Sequence, residues 1–226
     1  MSMPAGDGSA PRGRRTPRAT GDDRELAILG TAERLLAEKP LAAISVDDLA
    51  RGAGISRPTF YFYFASKDAV LLTLLDRVVA EADAAMDRAA SAFTERASES
   101  TSGTDVPREA WRQAISAYYD TFRDHRGLTL AWAEARSTSP QVRELWATVF
   151  EGWVQRSAAA IDAERARGAA PPGVPARDLA VALNSMNERV LYATLSGDGP
   201  SVAEGDVVGV LLEIWLGAIY GRPSTG

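Results

Sequence analysis

Hydrophobic residues recur at helical spacing along most of this 226-residue chain. Apolar positions three and four residues apart alternate with polar caps, glycine and proline, and no stretch of useful length alternates as a strand does. The pattern therefore predicts an all-α chain of about nine helices. They are expected at 22–38, as two short helices within 45–64, and at 66–93, 107–125, 128–138, 140–167, 176–196 and 201–220, with a polar loop at 95–106 and a linker at 168–175.

The first predicted helix has a leucine-rich face. Leu26, Leu29, Leu35 and Leu36 are expected to point inward, and the helix should end before Pro40, because proline cannot continue it.

Residues 44–70, which read ISVDDLARGAGISRPTFYFYFASKDAV, predict two short helices and the start of a third. Ser45 is a good N-cap for the first short helix, and Ser56 for the second. Gly52 and Gly54 interrupt the helix and permit a turn. Two short helices across a tight turn form a helix-turn-helix, whose second helix can lie in the major groove of DNA.

The second short helix separates two kinds of position. Phe60 and Phe64 lie four residues apart and should face the core. Arg57, Thr59 and Tyr61 then point outward, where they suit contacts to phosphates and thymine methyl groups. The alternative is an ordinary helical hairpin whose aromatic residues all pack inside.

The stretch GISRPTFYFYFASKDAVLLTLLDRV resembles the signature of the TetR family of one-component repressors. A glycine, a capped short helix, an aromatic-rich end, a serine and a lysine follow one another there in the same order. The likeness to this family covers most of the chain, in segments such as PRGRRT, GDDRELAIL, SVDDLA, LNSMNER and the terminal IYG.

The resemblance implies a domain organisation and a set of DNA-binding residues. It implies a helix-turn-helix DNA-binding domain at 22–67 and a ligand-binding and dimerisation domain at 68–226. In the family, the last two helices of each subunit pair into a dimer interface. Apolar residues compatible with interface or core are Leu183, Val190, Val207, Val210, Leu211 and Ile214. The residues expected to contact operator DNA are Ser45, Arg57, Pro58, Thr59, Tyr61, Phe62, Tyr63 and Lys67.

A net charge of −5 does not by itself suit a DNA-binding protein, but the charge is distributed unevenly along the chain. Residues 1–77 hold 11 basic and 10 acidic residues (+1), and residues 78–226 hold 14 and 20 (−6). The first twenty residues hold four arginines and one aspartate (+3), which predicts a disordered basic arm at 1–21. Such an arm can touch phosphates, or it is simply a solvated tail.

Composition argues against several other classes of protein. There is no cysteine, hence no disulfide or thiolate metal site. No apolar run is long enough to span a bilayer, and no secretory signal follows the N-terminal arginines, so we expect a cytoplasmic protein without a membrane partner. No nucleophile elbow or phosphate loop occurs, and the only histidine, His125, suits a cation or cap at a helix end. We therefore expect no enzyme, no cofactor and no metal.

Large aromatic residues form two helical stripes in the C-terminal part. Trp111, Tyr118 and Phe122 share one helix face, and Trp146, Phe150 and Trp153 share another. From periodicity alone a packed core is favoured over a cavity. The family resemblance favours a hydrophobic ligand tunnel, because a related repressor has one lined by aromatic residues from these helices. The implied lining is Met86, Trp111, Ile115, Tyr118, Phe122, Trp146, Phe150, Trp153, Arg156, Ser157, Asn184, Asn187, Leu191, Tyr192 and Trp215.

Asn184 and Asn187 lie on one face of an otherwise apolar helix. Buried carboxamides need partners, and a few fixed polar groups in an apolar cavity are typical of a small-molecule site. They could instead bridge neighbouring helices. The resemblance implies that they bind polar groups of a ligand, and that a dimeric repressor leaves its double-stranded operator when a small hydrophobic effector binds. A helical protein-interaction module without DNA binding is the alternative.

Overall fold

The computed structural model describes residues 21–99 and 106–221, with side chains at 21–91 and 108–221. Apart from residue 21, the predicted basic arm lies outside this range. All regular elements in the described part are helical, which confirms the all-α class. The helices are α1 (Gly21–Glu38), α2 (Val46–Gly52), α3 (Arg57–Tyr63), α4 (Lys67–Glu99), α5 (Val106–Asp124), α6 (Arg126–Thr138), α7 (Pro140–Ala166), α8 (Ala176–Ser196) and α9 (Val207–Tyr220), with single 3₁₀ turns at Leu41–Ala43 and Glu204–Asp206.

Helix α1 packs one face against the small N-terminal core. Leu29, Leu35 and Leu36 are buried as expected, together with Ile28. The prediction for Leu26 is wrong, since its side chain is 52% exposed. At 100° per residue, Leu26 lies about 200° from Ile28 and therefore on the opposite side of the helix.

Two helix boundaries differ from the sequence prediction by several residues. Helix α4 continues to Glu99, so residues 95–99 are helical rather than part of the polar loop. They contain Glu, Arg and Ala, which favour helix, and no glycine or proline to stop it. Helix α9 begins at Val207 rather than at 201, because a 3₁₀ turn at Glu204–Asp206 precedes it.

The C-terminal part is a bundle in which α4 packs along α5, α7 along α8, and α5 along α9. Helix α4 starts in the N-terminal part and runs into this bundle, while α6 packs against both α1 and α8. These two helices are therefore the direct structural links between the two parts.

The apolar residues suggested for a dimer interface differ in exposure, and Val190 on α8 is half-buried against the core. Leu183, Val207 and Leu211 are buried within the protomer, so they belong to its core. Val210 and Ile214 on α9 are 38% and 44% exposed.

Within the described ranges, no helix is long and apolar enough to cross a membrane.

A candidate DNA-reading face and a candidate ligand cavity

The start of α2 is fixed by a reciprocal pair of hydrogen bonds. The backbone N–H of Asp48 donates to Ser45 Oγ (3.1 Å), and the backbone N–H of Ser45 donates to Asp48 Oδ2 (3.1 Å). This capping box satisfies two amides at the helix end. Hydrogen bonds from the backbone and hydroxyl of Ser45, and the charge of Lys39, lower the pKa of Asp48 to about 2.

The turn between α2 and α3 depends on its two glycines for different reasons. Gly54 has a φ of +67°, in the left-handed region that favours glycine. Gly52 is the last residue of α2 rather than part of the turn, and a Cβ there would lie 2.3 Å from the Thr31 side chain. The first glycine thus allows α2 to approach α1, and the second turns the chain into α3.

Helix α3 presents its polar and aromatic groups to solvent. Phe60 and Phe64 are buried, whereas Tyr61 and Phe62 are 47% and 83% exposed. The guanidinium of Arg57 lies 5.8 Å from the centre of the Tyr61 ring and donates a long hydrogen bond (3.4 Å) to its hydroxyl. Thus one protruding surface carries a cation, a phenol and a bare aromatic ring.

Arg57 is also held from the side of α2. Its Nη1 lies 3.2 Å from Asp47 Oδ2, and both side chains are more than half exposed. The hydrogen bond to Tyr61, followed by the charge of Asp47, raises the pKa of Arg57. An exposed ion pair of this kind is weak, so it can exchange for a phosphate at little cost.

The other DNA-contact candidates occupy different positions around α3. Pro58 is exposed, Tyr63 is half-buried, and Thr59 Oγ1 is 2.8 Å from the hydroxyl of the capping residue Ser56. Lys67 lies at the start of α4, where its Nζ donates to the carbonyl oxygens of Leu41 (2.9 Å) and Ile44 (3.2 Å). It therefore supports the loop before α2, with one N–H left over for another partner.

The C-terminal bundle encloses a main cavity of about 480 Å³. Alanines and aromatic rings dominate its lining, and each of α4, α5, α7, α8 and α9 contributes. The predicted ligand residues on its wall are Met86, Trp111, Ile115, Tyr118, Trp153, Arg156, Ser157, Asn184, Asn187 and Trp215.

Both asparagines on α8 reach the main cavity in fixed orientations. Asn187 is 6% exposed, and its Oδ1 accepts a hydrogen bond from the indole N–H of Trp215 (3.0 Å). Its amide nitrogen makes no hydrogen bond to any described residue. Asn184 donates from its amide nitrogen to the Ala180 carbonyl (2.8 Å) and to Ser157 Oγ (3.1 Å). An amide donor of Asn187 and the side-chain oxygen of Asn184 thus remain for a ligand.

A chain of hydrogen bonds runs along the wall of the main cavity near Trp111 and Glu164. The Trp111 indole N–H donates to the Tyr220 hydroxyl (3.0 Å), which donates to Glu164 Oε2 (2.8 Å). Arg167 pairs with the same carboxylate. Burial, with the Glu164 hydrogen bond and charge adding to it, raises the pKa of Tyr220 to about 12, so this hydroxyl remains a donor near neutral pH.

The second arginine on the cavity wall is neutralised by α4. Arg156 Nη1 lies 2.7 Å from Asp87 Oδ1, and its Nη2 lies 3.5 Å from Asp83 Oδ1. The Trp153 indole N–H donates to the same Asp83 oxygen (3.1 Å). Neither arginine of the main cavity is therefore an unpaired cation awaiting an anionic ligand.

A second chamber of about 300 Å³ lies beyond Tyr118, which borders both spaces. It is formed by α5, α6, α7 and α8. Of the predicted ligand residues, those on its wall are Tyr118, Phe122, Trp146, Leu191 and Tyr192.

The predicted aromatic stripes pack mainly against one another. Trp153 meets the rings of Tyr118, Phe122 and Trp146 edge-on, with centroids 5.3, 5.6 and 5.6 Å apart. This cluster lies between the main cavity and the second chamber, and Tyr118 borders both spaces. Phe150 lines neither space and instead packs on the core as a half-buried residue.

The sequence prediction missed the charged and α6 residues of the second chamber. Arg136 of α6 and Glu188 of α8 form an ion pair, and the Arg136 guanidinium lies 5.1 Å from the Trp146 ring centre. A signal was present, because the spacings i, i+3, i+4, i+7 place two further sets on single helix faces. These sets are Thr129, Trp132, Ala133 and Arg136 on α6, and Ser185, Glu188, Arg189 and Tyr192 on α8.

His125 lies between α5 and α6 and makes no side-chain cap, contrary to one of its two expected roles. Its Nε2 is 3.3 Å from Glu81 of α4, and its Nδ1 is 4.0 Å from Glu33 of α1. It thus bridges the two parts of the molecule. The described residues contain no group of His, Asp and Glu side chains arranged to hold a metal ion.

Comparison with known proteins identifies both parts. Residues 28–74 match the model for bacterial regulatory proteins of the tetR family, and residues 111–221 match that for the C-terminal domain of the transcriptional regulator EthR. The chain therefore belongs to the TetR family of helix-turn-helix transcriptional regulators. It is 56% identical over 219 residues to the HTH-type transcriptional regulator EthR of Mycobacterium tuberculosis, covering 96% of this chain and 97% of that protein.

A second relative agrees with this assignment. The EthR of Mycolicibacterium smegmatis is 48% identical over 216 residues, covering 96% of this chain and 95% of that protein. Among solved structures, FadR of Bacillus subtilis in complex with stearoyl-CoA has a TM-score of 0.64 at 16% identity, covering 87% of this chain and 98% of that one, which shows a shared fold. An EthR-like regulator of transcription is not an enzyme. Membership of this helix-turn-helix family also contradicts the alternative of a protein-interaction module without DNA binding.

Proposed function

We propose that this regulator is a dimeric repressor, which binds operator DNA through α3 and is released when a small, largely apolar molecule fills the main cavity. The observation that carries this proposal is one chain that combines a protruding Arg57–Tyr61 surface with an apolar cavity of about 480 Å³. Direct structural links join the two.

The DNA-reading face is supported by exposure and by chemistry. Arg57, Tyr61 and Phe62 protrude from α3, and their burial would need an external partner. A guanidinium and a phenol suit phosphates and base edges, and an exposed ring suits a thymine methyl group. Ser45, Pro58, Thr59, Tyr63 and Lys67 surround this surface as further candidate contacts.

A homodimer would cover the exposed side of α9. Val210 and Ile214 share this side with Gly217 and Ala218, so a second helix can approach closely. Pairing α8 and α9 of two copies would place two α3 helices on one side of the duplex. Their separation must then match successive major grooves, roughly 34–36 Å apart.

The ligand class follows from the wall of the main cavity. Aromatic and alanine side chains supply apolar contact, and both arginines are paired within the protein. The unused amide N–H of Asn187 can donate a hydrogen bond to a neutral polar group, and the side-chain oxygen of Asn184 can accept one. The ligand is therefore an apolar molecule with a carbonyl or similar group near α8.

Two contacts can carry a change in the cavity to the DNA-reading face. Met86 on the cavity wall and Lys67 under α2 belong to the same continuous helix, α4. On α6, Gly127 packs against α1 so closely that a Cβ there would lie 2.2 Å from the Leu36 carbonyl oxygen. A ligand that binds the DNA-bound and the released arrangement of the dimer unequally would shift the two α3 helices through these contacts.

The DNA half of the proposal is tested by mobility-shift titration with the DNA upstream of the chain's own coding sequence. Arg57→Ala and Tyr61→Ala should each weaken specific binding roughly 5- to 150-fold, because each removes a contact of about 1–3 kcal/mol. Helical content and oligomeric state should not change. Arg51→Ala on the exposed side of α2 is the matched control, and wild-type affinity in both test variants would refute this reading face.

The dimer is tested by sedimentation of Ile214→Asp. A carboxylate at this exposed apolar position should prevent close pairing while the protomer stays folded, since Ile214 contributes little to its core. A dimer that persists at wild-type strength would place the interface elsewhere.

A further inference from the structure

Within the second chamber, two hydrogen-bond donors lack partners. Trp132 is 2% exposed and lines the chamber, yet its indole N–H has no hydrogen-bond acceptor among the described residues. An unsatisfied buried donor of this kind costs about 1–3 kcal/mol. Trp132 also meets Phe122 edge-on, with ring centroids 5.9 Å apart, so the ring is held in place.

The second donor is the hydroxyl of Tyr118. Tyr118 is 7% exposed, borders both spaces, and its hydroxyl makes no hydrogen bond within the described part of the chain. Burial raises its pKa, and the negative charge of Glu188 raises it further, against the opposing effect of Arg136. The group therefore stays a neutral O–H donor at physiological pH.

The charges around the chamber favour a neutral acceptor over an anion. Arg136 and Glu188 neutralise one another, and Arg136 also packs over the Trp146 ring. Arg189, the remaining cation on the wall, is exposed to solvent. The buried part of the chamber therefore offers two neutral donors on an aromatic floor.

We propose that Trp132 and Tyr118 recognise a hydrogen-bond acceptor on the effector, so that the effector is an elongated apolar molecule with a carbonyl or ether oxygen in the second chamber. This inference rests on the proposed function, because it assumes that an effector enters the bundle. It adds Trp132 as a specificity-determining residue and assigns a donor role to the Tyr118 hydroxyl. Water is the competing occupant, and it would give no preference between ligands.

The test compares two probes that differ only in a carbonyl, hexyl phenyl ketone and heptylbenzene. Their affinities for the full-length protein are measured by displacement of an apolar fluorescent dye. The wild type should prefer the ketone, and Trp132→Phe and Tyr118→Phe should each reduce this preference roughly two- to tenfold while leaving heptylbenzene affinity unchanged.

Tyr119→Phe is the matched control. Tyr119 is the next residue along α5, and its buried hydroxyl also lacks a partner, but it lines neither space. The Tyr119→Phe variant should prefer the ketone as strongly as the wild type does. An unchanged preference in both test variants would overturn the inference, and melting curves of the two variants check that each is folded.

Release of operator DNA, measured on the same samples, separates the two proposals. If the ketone releases the operator but its preference survives both substitutions, the proposed function stands and this inference fails. If the preference depends on Trp132 and Tyr118 but the operator stays bound, the inference stands and ligand-relieved repression fails. Failure of the wild type to bind either probe would contradict both.

Discussion

The N-terminal and C-terminal parts of this protein use their aromatic residues in opposite ways. On α3, Tyr61 and Phe62 point outward from the N-terminal part, where the serine side chains of Ser45 and Ser56 cap α2 and α3. In the bundle, Trp132 lines the second chamber and leaves its indole N–H unsatisfied. A surface for a large rigid partner can be built while every buried donor has an acceptor. A cavity for a small partner instead leaves space and a donor unused.

Of the substitutions considered, one that fills the main cavity should change ligand affinity most. Ser157→Trp places an indole in the main cavity, where Ser157 Oγ now accepts from Asn184. Affinity for hexyl phenyl ketone should fall by more than about tenfold, because the added ring occupies the ligand's space. If the indole imitates a ligand, operator affinity should fall as well.

The control for that variant is Ser157→Ala, which removes the hydroxyl without filling space. It should keep most of its ketone affinity. Ketone binding to Ser157→Trp at wild-type strength would show that the main cavity is not the site.

The contact between the two parts can be tested at Gly127. The Cβ of Gly127→Ala would lie 2.2 Å from the carbonyl oxygen of Leu36, a backbone atom that cannot rotate away. We expect a loss of about 1–3 kcal/mol in the free energy of unfolding, together with altered operator affinity. Gly152→Ala on α7 has nothing within 4 Å and should be neutral or slightly stabilising. Equal stability of the two variants would contradict close packing of α6 on α1.

The smallest expected effect concerns the cap of α2. Because folding lowers the pKa of Asp48 from its usual 3.8 to about 2, the charged carboxylate stabilises the fold above pH 3.8, and this stabilisation is lost as the pH falls to about 2. Asp48→Asn should therefore melt below the wild type near neutral pH, with the difference vanishing at the acid end. Asp76→Asn, exposed on α4, is the control, and a pH-independent difference would refute the titration of Asp48.

The caps and the turn of the N-terminal part could be predicted from local sequence signals. Ser45, Ser56 and Gly54 act through residues within a few positions of themselves, so the caps and the turn could be inferred from spacing alone. The supporting role of Lys67 could not be predicted in this way, because its hydrogen bonds to the carbonyls of Leu41 and Ile44 span more than twenty positions of the chain.

The bundle was predictable as helices but not as a cavity. Helical spacing placed Trp146 and Trp153 on one face, yet whether that face meets another ring or empty space depends on α5 and α6. Phe150 shares their stripe and still lines neither space. The role of Trp132 could not be inferred from spacing, because an unpaired N–H becomes visible only when every neighbour is in place.

The proposed function requires an energetic coupling between the main cavity and the DNA-reading face. It is tested most directly by titrating hexyl phenyl ketone into the protein bound to labelled operator DNA, and by measuring ketone affinity with and without that DNA. The ketone should weaken operator binding, and the operator should weaken ketone binding by the same factor. Ketone binding that is equally tight with and without the operator would contradict this coupling.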